Sequence, residues 1–171
     1  MGLRDRHERG ATLTFQMREK MLAIGDDYWI EDDKGERVYK VNGKALRLRQ
    51  TFALEDRDGR ELATIREKKL AIRDTMKVEI DGREARVRKR AIGIRDRFIV
   101  DLDEGEDYSA KGNFVDHEYE IERDGTKVAE VSKKWFRVRD TYGVQVFGEQ
   151  DVPLILAVTV CIDALSHDHI G

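Results

Sequence analysis

The chain has 171 residues, of which 39% are charged and 40% hydrophobic. That is enough apolar material to exclude a wholly disordered chain, and the length suits a single domain with a sizeable core. Its 32 basic and 35 acidic residues leave a net charge of only −3, so charge of both signs is interspersed rather than massed.

Residues 1–10 are polar and charged, including Arg4, Asp5, Arg6, Glu8 and Arg9, and residues 1–12 are expected to be disordered or loosely ordered. No apolar stretch follows them, so no secretory signal is read there. The single cysteine, Cys161, allows no intrachain disulfide and suits a reducing compartment; a cytoplasmic location is expected. Only one proline, Pro153, is present, and its absence from the earlier chain favours uninterrupted strand pairing.

From there the chain repeats itself roughly every 24 residues, a period that signals a duplicated supersecondary unit. Each unit opens on a turn ending in Gly (Lys34-Gly35, Asp58-Gly59, Asp81-Gly82, Asp124-Gly125). Each closes on Arg-Asp or a relative of it (Arg49-Gln50, Arg73-Asp74, Arg95-Asp96, Arg139-Asp140). Met21–Asp26 resembles Lys69–Asp74, two periods later, which extends the pattern towards the N-terminus. Between these markers apolar and polar residues alternate with period two: Leu46-Arg47-Leu48-Arg49, Leu70 and Ile72, Met76-Lys77-Val78-Glu79-Ile80, and Ile92, Ile94, Phe98, Val100 and Leu102. Further on, Val115, His117, Tyr119 and Ile121 share one parity, as do Phe136 and Val138. Alternation with Asp-Gly turns describes antiparallel hairpins with one face in the core and one charged and wet. Six units of two strands give about twelve strands, and a sheet that large favours closure into a barrel.

Residues 152–165 break the pattern by being apolar all round. At 14 residues the stretch is too short to cross a bilayer, which takes roughly 20. Asp151 as a cap and Pro153 just inside favour a helix start, although the β-branched content favours a strand. A helix apolar on every side must be buried on every side, and the lumen of the barrel is the place for it. Thr159, Asp163 and His167 form a polar stripe, expected at the exit from the barrel. The resulting expectation is a mainly β fold, a closed antiparallel barrel around a buried C-terminal helix, in one domain spanning 13–171.

Several segments resemble the LURP-one-related family: Gly25-Asp26-Asp27-Tyr28, Val41-Asn42-Gly43-Lys44, Asp116-His117-Glu118-Tyr119-Glu120-Ile121, Val131-Ser132-Lys133-Lys134-Trp135-Phe136 and Asp140-Thr141-Tyr142-Gly143-Val144. The resemblance covers roughly residues 13–168. That family is similar to the Tubby C-terminal domain and the phospholipid scramblases, which implies a twelve-stranded barrel around a hydrophobic C-terminal helix. It implies no reaction. Tubby domains bind phosphoinositides through basic residues of the barrel surface; scramblases add palmitoylated cysteines and a Ca²⁺ site, and no cysteine cluster here matches them.

Residues 83–97 carry seven basic side chains (Arg83, Arg86, Arg88, Lys89, Arg90, Arg95, Arg97) against Glu84 and Asp96, and the preceding hairpin adds Arg66, Lys68, Lys69 and Arg73. Of these, Arg66, Lys68, Lys69, Arg73, Arg86, Arg88, Arg90 and Arg95 are the anionic-ligand candidates, against the plainer reading of a solvated face neutralised across strands. Exposed aromatics for base stacking are not apparent, so lipid is favoured over nucleic acid. The acidic loop Asp101, Asp103, Glu104, Glu106 and Asp107 lacks the spacing of a calcium loop and reads as a solvated turn. His117 reads as a hydrogen-bonded core residue and Cys161 as a buried apolar one. With no nucleophile elbow, phosphate loop or Cys-x-x-Cys pair, no catalytic residue, metal or cofactor is expected. The expected function is a non-enzymatic module docking on anionic phospholipid. The alternatives are a stress-related scaffold or protein-interaction domain, and an enzyme with a pocket at one barrel mouth.

Overall fold

The computed structural model describes residues 11–18, 27–46, 49–70, 73–92 and 95–167. Among them the chain forms β1 (Leu13–Arg18), β2 (Tyr28–Asp32), β3 (Arg37–Leu46), β4 (Arg49–Asp56), β5 (Glu61–Leu70), β6 (Arg73–Ile80), β7 (Arg83–Ile92), β8 (Arg95–Leu102), β9 (Tyr108–Asn113), β10 (Glu118–Arg123), β11 (Thr126–Ser132), β12 (Thr141–Val146) and α1 (Val152–His167). Each strand pairs antiparallel with its sequence neighbour. β1 also pairs with β12, from Leu13 opposite Val146 to Arg18 opposite Thr141, so the sheet is a closed barrel. Closure removes the free edges that a sheet of this size would otherwise expose.

The repeat maps onto the two ends of the barrel. The Gly turns all lie at one end, joining β2 to β3, β4 to β5, β6 to β7 and β10 to β11. Asp81-Gly82 and Asp124-Gly125 hold positive φ at both residues (48° and 72°, 49° and 73°), the two-residue turn whose twist matches the flanking strands. The Arg-Asp markers lie at the opposite end: Arg49, Arg73 and Arg95 begin β4, β6 and β8. We call these the turn end and the tip end.

The inward residues of successive strands (Met17, Ile30, Leu54, Ile65, Met76, Val78, Val87, Phe98, Val100, Ile121, Val131, Val144) are at most 1% exposed. They close on α1, whose residues Leu154–Leu165 are all buried. The helix enters at the turn end. The Asp151 carboxylate accepts the Leu154 N–H at 3.2 Å, and its carbonyl accepts that of Ile155 at 3.0 Å. Asp151 is thus the N-cap, and Pro153 sits in the first turn, where its missing N–H costs nothing. Arg83 Nη2 donates to Asp151 Oδ2 at 2.6 Å and ties this cap to the start of β7.

Four expectations need correction. Phe136 and Val138 do not alternate in a strand: β11 ends at Ser132, β12 begins at Thr141, and the intervening residues form a loop in which Val138 is 58% exposed. Val115 and His117 do not begin β10; they lie in the β9–β10 turn, with Val115 60% exposed and His117 at φ 54°. The left-handed backbone after Asp116 reverses the chain and still delivers the imidazole to the core. Thr159 and Asp163, expected as a stripe at the exit, are buried at 0% and 4% exposure, with Asp163 beside His117 of the tip-end β9–β10 turn. The helix also runs past residue 165 to His167, whose side chain lies outside the described residues, as do those of Leu46–Arg49, Leu70–Arg73 and Ile92–Ile94. Residues 1–10 and the Met21–Asp26 copy of the repeat also lie outside the described residues.

Candidate anion-binding face and a buried polar cluster

Strand alternation sends Ala63, Ile65 and Glu67 of β5, Met76 and Val78 of β6, and Ala85 and Val87 of β7 into the barrel. Arg66, Lys68, Lys77, Arg86, Arg88 and Arg90 take the intervening, outward positions. Register then decides what they do together. Arg66 stands opposite Lys77, and Lys77 opposite Arg86, making one line of three cations across β5, β6 and β7. Arg90 stands opposite Arg97, and Arg97 opposite Lys111, making a second line across β7, β8 and β9, nearer the tip end. Directly opposed like charges destabilise a sheet, so two such lines on one face are a feature that stability alone does not select.

Part of this charge is neutralised. Glu84 receives Lys77 at 2.7 Å and Arg86 at 3.0 Å, and these two hydrogen bonds hold its carboxyl below the usual carboxylate range. Lys77 also reaches Glu79 at 3.0 Å, and its ammonium is correspondingly raised by Glu84 and then Glu79. Arg88 pairs with Asp101 at 2.8 Å, and Lys111 with Glu122 at 2.6 Å. Arg66, Lys68, Arg90 and Arg97 make no ion pair among the described residues. Of the sequence candidates, then, Arg86 and Arg88 are paired, and Arg66, Lys68 and Arg90 have no ion pair among the described residues. The side chains of Lys69, Arg73 and Arg95 lie outside the described residues, with their backbones at the β5–β6 and β7–β8 tips. Lys77 and Lys111 were missed; strict alternation between Met76 and Val78 marks Lys77 as outward.

The acidic segment is tied down by its own hydrogen bonds. Asp107 accepts the Leu102 N–H at 2.9 Å, and Asp103 accepts that of Glu84 at 3.0 Å. A cavity of about 710 Å³ opens beside β8–β11 near the tip end, lined in part by Lys89, Asp96, Arg97, Lys111, Phe114 and Glu118. Lys89 and Asp96 pair there at 2.8 Å.

The lumen holds a second assembly of polar groups. The Tyr142 hydroxyl donates to Asp163 Oδ2 at 2.5 Å, and His117 Nε2 lies 2.9 Å from Asp163 Oδ1. The imidazole stacks on the Tyr142 ring, centroids 4.3 Å apart. Burial and then the Asp163 charge push the phenols of Tyr28, Tyr119 and Tyr142 well above the ordinary tyrosine value. His117 is therefore the core residue expected, and its Nε2 lies against the carboxylate of Asp163 on the helix, a pairing that sequence did not indicate. Burial likewise raises the Cys161 thiol, which keeps it protonated and unreactive.

The family model for LURP-one-related proteins matches residues 13–163. The chain belongs to that family. It is similar to the uncharacterised protein YxjI of Bacillus subtilis (strain 168), 25% identical over 154 residues that cover 89% of this chain and 93% of that one. The X-ray structure of a protein from Arabidopsis thaliana superposes with a TM-score of 0.61 at 16% identity, covering 94% of this chain and 96% of the other. At that identity the likeness establishes the fold.

Proposed function

We propose that this LURP-one-related chain is a non-enzymatic binding module that docks on anionic phospholipid headgroups through the outer face of β5–β9. The observation that carries the reading is the pair of in-register lines Arg66–Lys77–Arg86 and Arg90–Arg97–Lys111. Arg66, Lys68, Arg90 and Arg97 have no counter-charge among the described residues, so phosphate oxygens can relieve the repulsion by direct charge-assisted hydrogen bonds. The resemblance to Tubby domains, which hold phosphoinositides on a barrel surface, supports the same ligand class. No helix among the described residues is long and apolar enough to cross a membrane, so attachment in this reading is peripheral. The inert Cys161 is consistent with work at a cytoplasmic leaflet, where acidic lipids concentrate.

Co-sedimentation with vesicles tests this. The protein should pellet with phosphatidylcholine vesicles containing phosphatidylserine and remain in solution with phosphatidylcholine alone. Arg90→Glu with Arg97→Glu should reduce pelleting by at least about tenfold, at ~1 kcal/mol per cation near an acidic surface and with its sign reversed twice. Equal pelleting with both vesicles, or none with either, ends the lipid reading and leaves a protein-interaction domain in its place.

A further inference from the structure

The β11–β12 loop carries Lys133, Lys134, Trp135, Phe136, Arg137, Val138 and Arg139, four cations and three apolar side chains with no acid before Asp140. Its shape is fixed at both roots and in the middle. At the first root the Glu118 carboxylate accepts the Ser132 hydroxyl and the Lys133 N–H, both at 3.0 Å, and Ser132 Oγ accepts the Lys134 N–H at 3.2 Å. At the second root the Thr141 hydroxyl donates to the Val138 carbonyl at 2.7 Å. In the middle the Trp135 and Phe136 rings close on the bare Cα of Gly143, where an added Cβ would sit 2.8 Å from Trp135 Cε3 and 3.0 Å from Phe136 Cε2.

A loop so anchored does not collapse to hide its apolar tip. Val138 is 58% exposed, Trp135 and Phe136 are half-buried, and Lys133, Lys134, Arg137 and Arg139 are exposed around them. Val115, 60% exposed, projects from the β9–β10 turn at the same tip end. The arrangement is an exposed valine backed by two half-buried rings and flanked by four exposed cations. Aromatic and aliphatic side chains at the level of lipid headgroups, with basic side chains reaching back to phosphates, are what holds a protein in the interfacial layer. Four cations around an exposed apolar residue match a fluid anionic bilayer in both charge and apolar depth, whereas an acidic protein partner would also have to supply an apolar socket for Val138.

We propose that the tip end of the barrel is a membrane wedge: Val138, backed by Trp135 and Phe136, enters the interfacial layer of an anionic bilayer while Lys133, Lys134, Arg137 and Arg139 engage headgroups. This rests on the lipid reading above and adds to it an apolar anchor and an end-on orientation, in which Arg90 and Arg97 approach the same surface from the tips of β7 and β8. The chain has two tryptophans, so Trp29→Phe leaves Trp135 as the reporter.

The experiment is Trp135 fluorescence with vesicles of phosphatidylcholine, or of phosphatidylcholine with phosphatidylserine, each prepared with and without brominated acyl chains. With acidic vesicles, Trp135 emission should shift to the blue and be quenched by the brominated lipid. Val138→Ser, which changes no charge at an exposed position, should weaken binding about tenfold, whereas Val138→Leu should retain it. Pelleting with acidic vesicles but no quenching overturns the wedge and leaves docking on β5–β9 standing. No pelleting overturns both readings. Quenching as strong with neutral vesicles overturns the role of the cationic ring.

Discussion

Asp163 is a carboxylate 4% exposed on a mainly apolar helix, and its surroundings explain how it is tolerated. A carboxyl group in such a place needs polar partners, and it finds them on two separate elements: the Tyr142 hydroxyl donates to one oxygen and His117 Nε2 lies 2.9 Å from the other. The three neighbouring phenols give the cluster a pH signature. Unfolded tyrosines ionise near pH 10, whereas burial and the Asp163 charge hold Tyr28, Tyr119 and Tyr142 protonated above that value in the folded chain. Above about pH 10 the native state therefore binds more protons than the unfolded state. Stability is full below that point and falls as pH rises through the raised values. Urea unfolding across this window should show a midpoint that drops with pH. Tyr142→Phe should make the drop shallower by removing one of the linked protons; a midpoint flat through pH 11 would contradict the linkage.

At the level of elements, Gly143 illustrates how one position sets a loop. β12 turns this residue outward, and the absence of a side chain lets Trp135 and Phe136 lie against the strand. Gly143→Ala should force both rings off the barrel at a cost of about 1–3 kcal/mol, read as a lower unfolding midpoint and a red-shifted Trp135 emission in the Trp29→Phe background. The same residue shows why sequence misread this stretch. Phe136-Arg137-Val138-Arg139 alternates as a strand does, and nothing local reveals that the rings have a landing site across the loop. Hairpins such as β6–β7 were legible because both their signals, alternation at Met76–Ile80 and the Asp81-Gly82 turn, are local. The buried pairing of His117 with Asp163 was not, since it joins a turn to a helix on opposite sides of β10–β12. The basic face lay between these cases: the clustering of Arg66, Arg86 and Arg90 was legible, but the neutralisation of Arg86 by Glu84 and the alignment of Arg90 with Arg97 and Lys111 depend on register.

For the molecule as a whole, a net charge of −3 and a concentrated basic face act in opposite directions. An anionic surface repels the whole and attracts one side, so approach is productive only in a restricted orientation. Attraction of this kind is screened. Raising salt from about 0.01 M to about 1 M shortens the Debye length from roughly 30 Å to 3 Å. Pelleting with acidic vesicles should collapse over that range if the cations carry the attachment, with the Val138 anchor alone too weak to hold the protein down. Retention at high salt in the co-sedimentation assay would shift the weight to the Val138 anchor.

The order of parts along the chain has its own consequence. All twelve strands emerge from the ribosome before the rod that fills them, and β1 must wait for β12 before it has a second neighbour. Until α1 arrives, every inner face is greasy surface with nothing to cover it. This protein thus cannot ripen piecemeal during translation. It must hold a half-made cylinder in check and then close around α1 in one event.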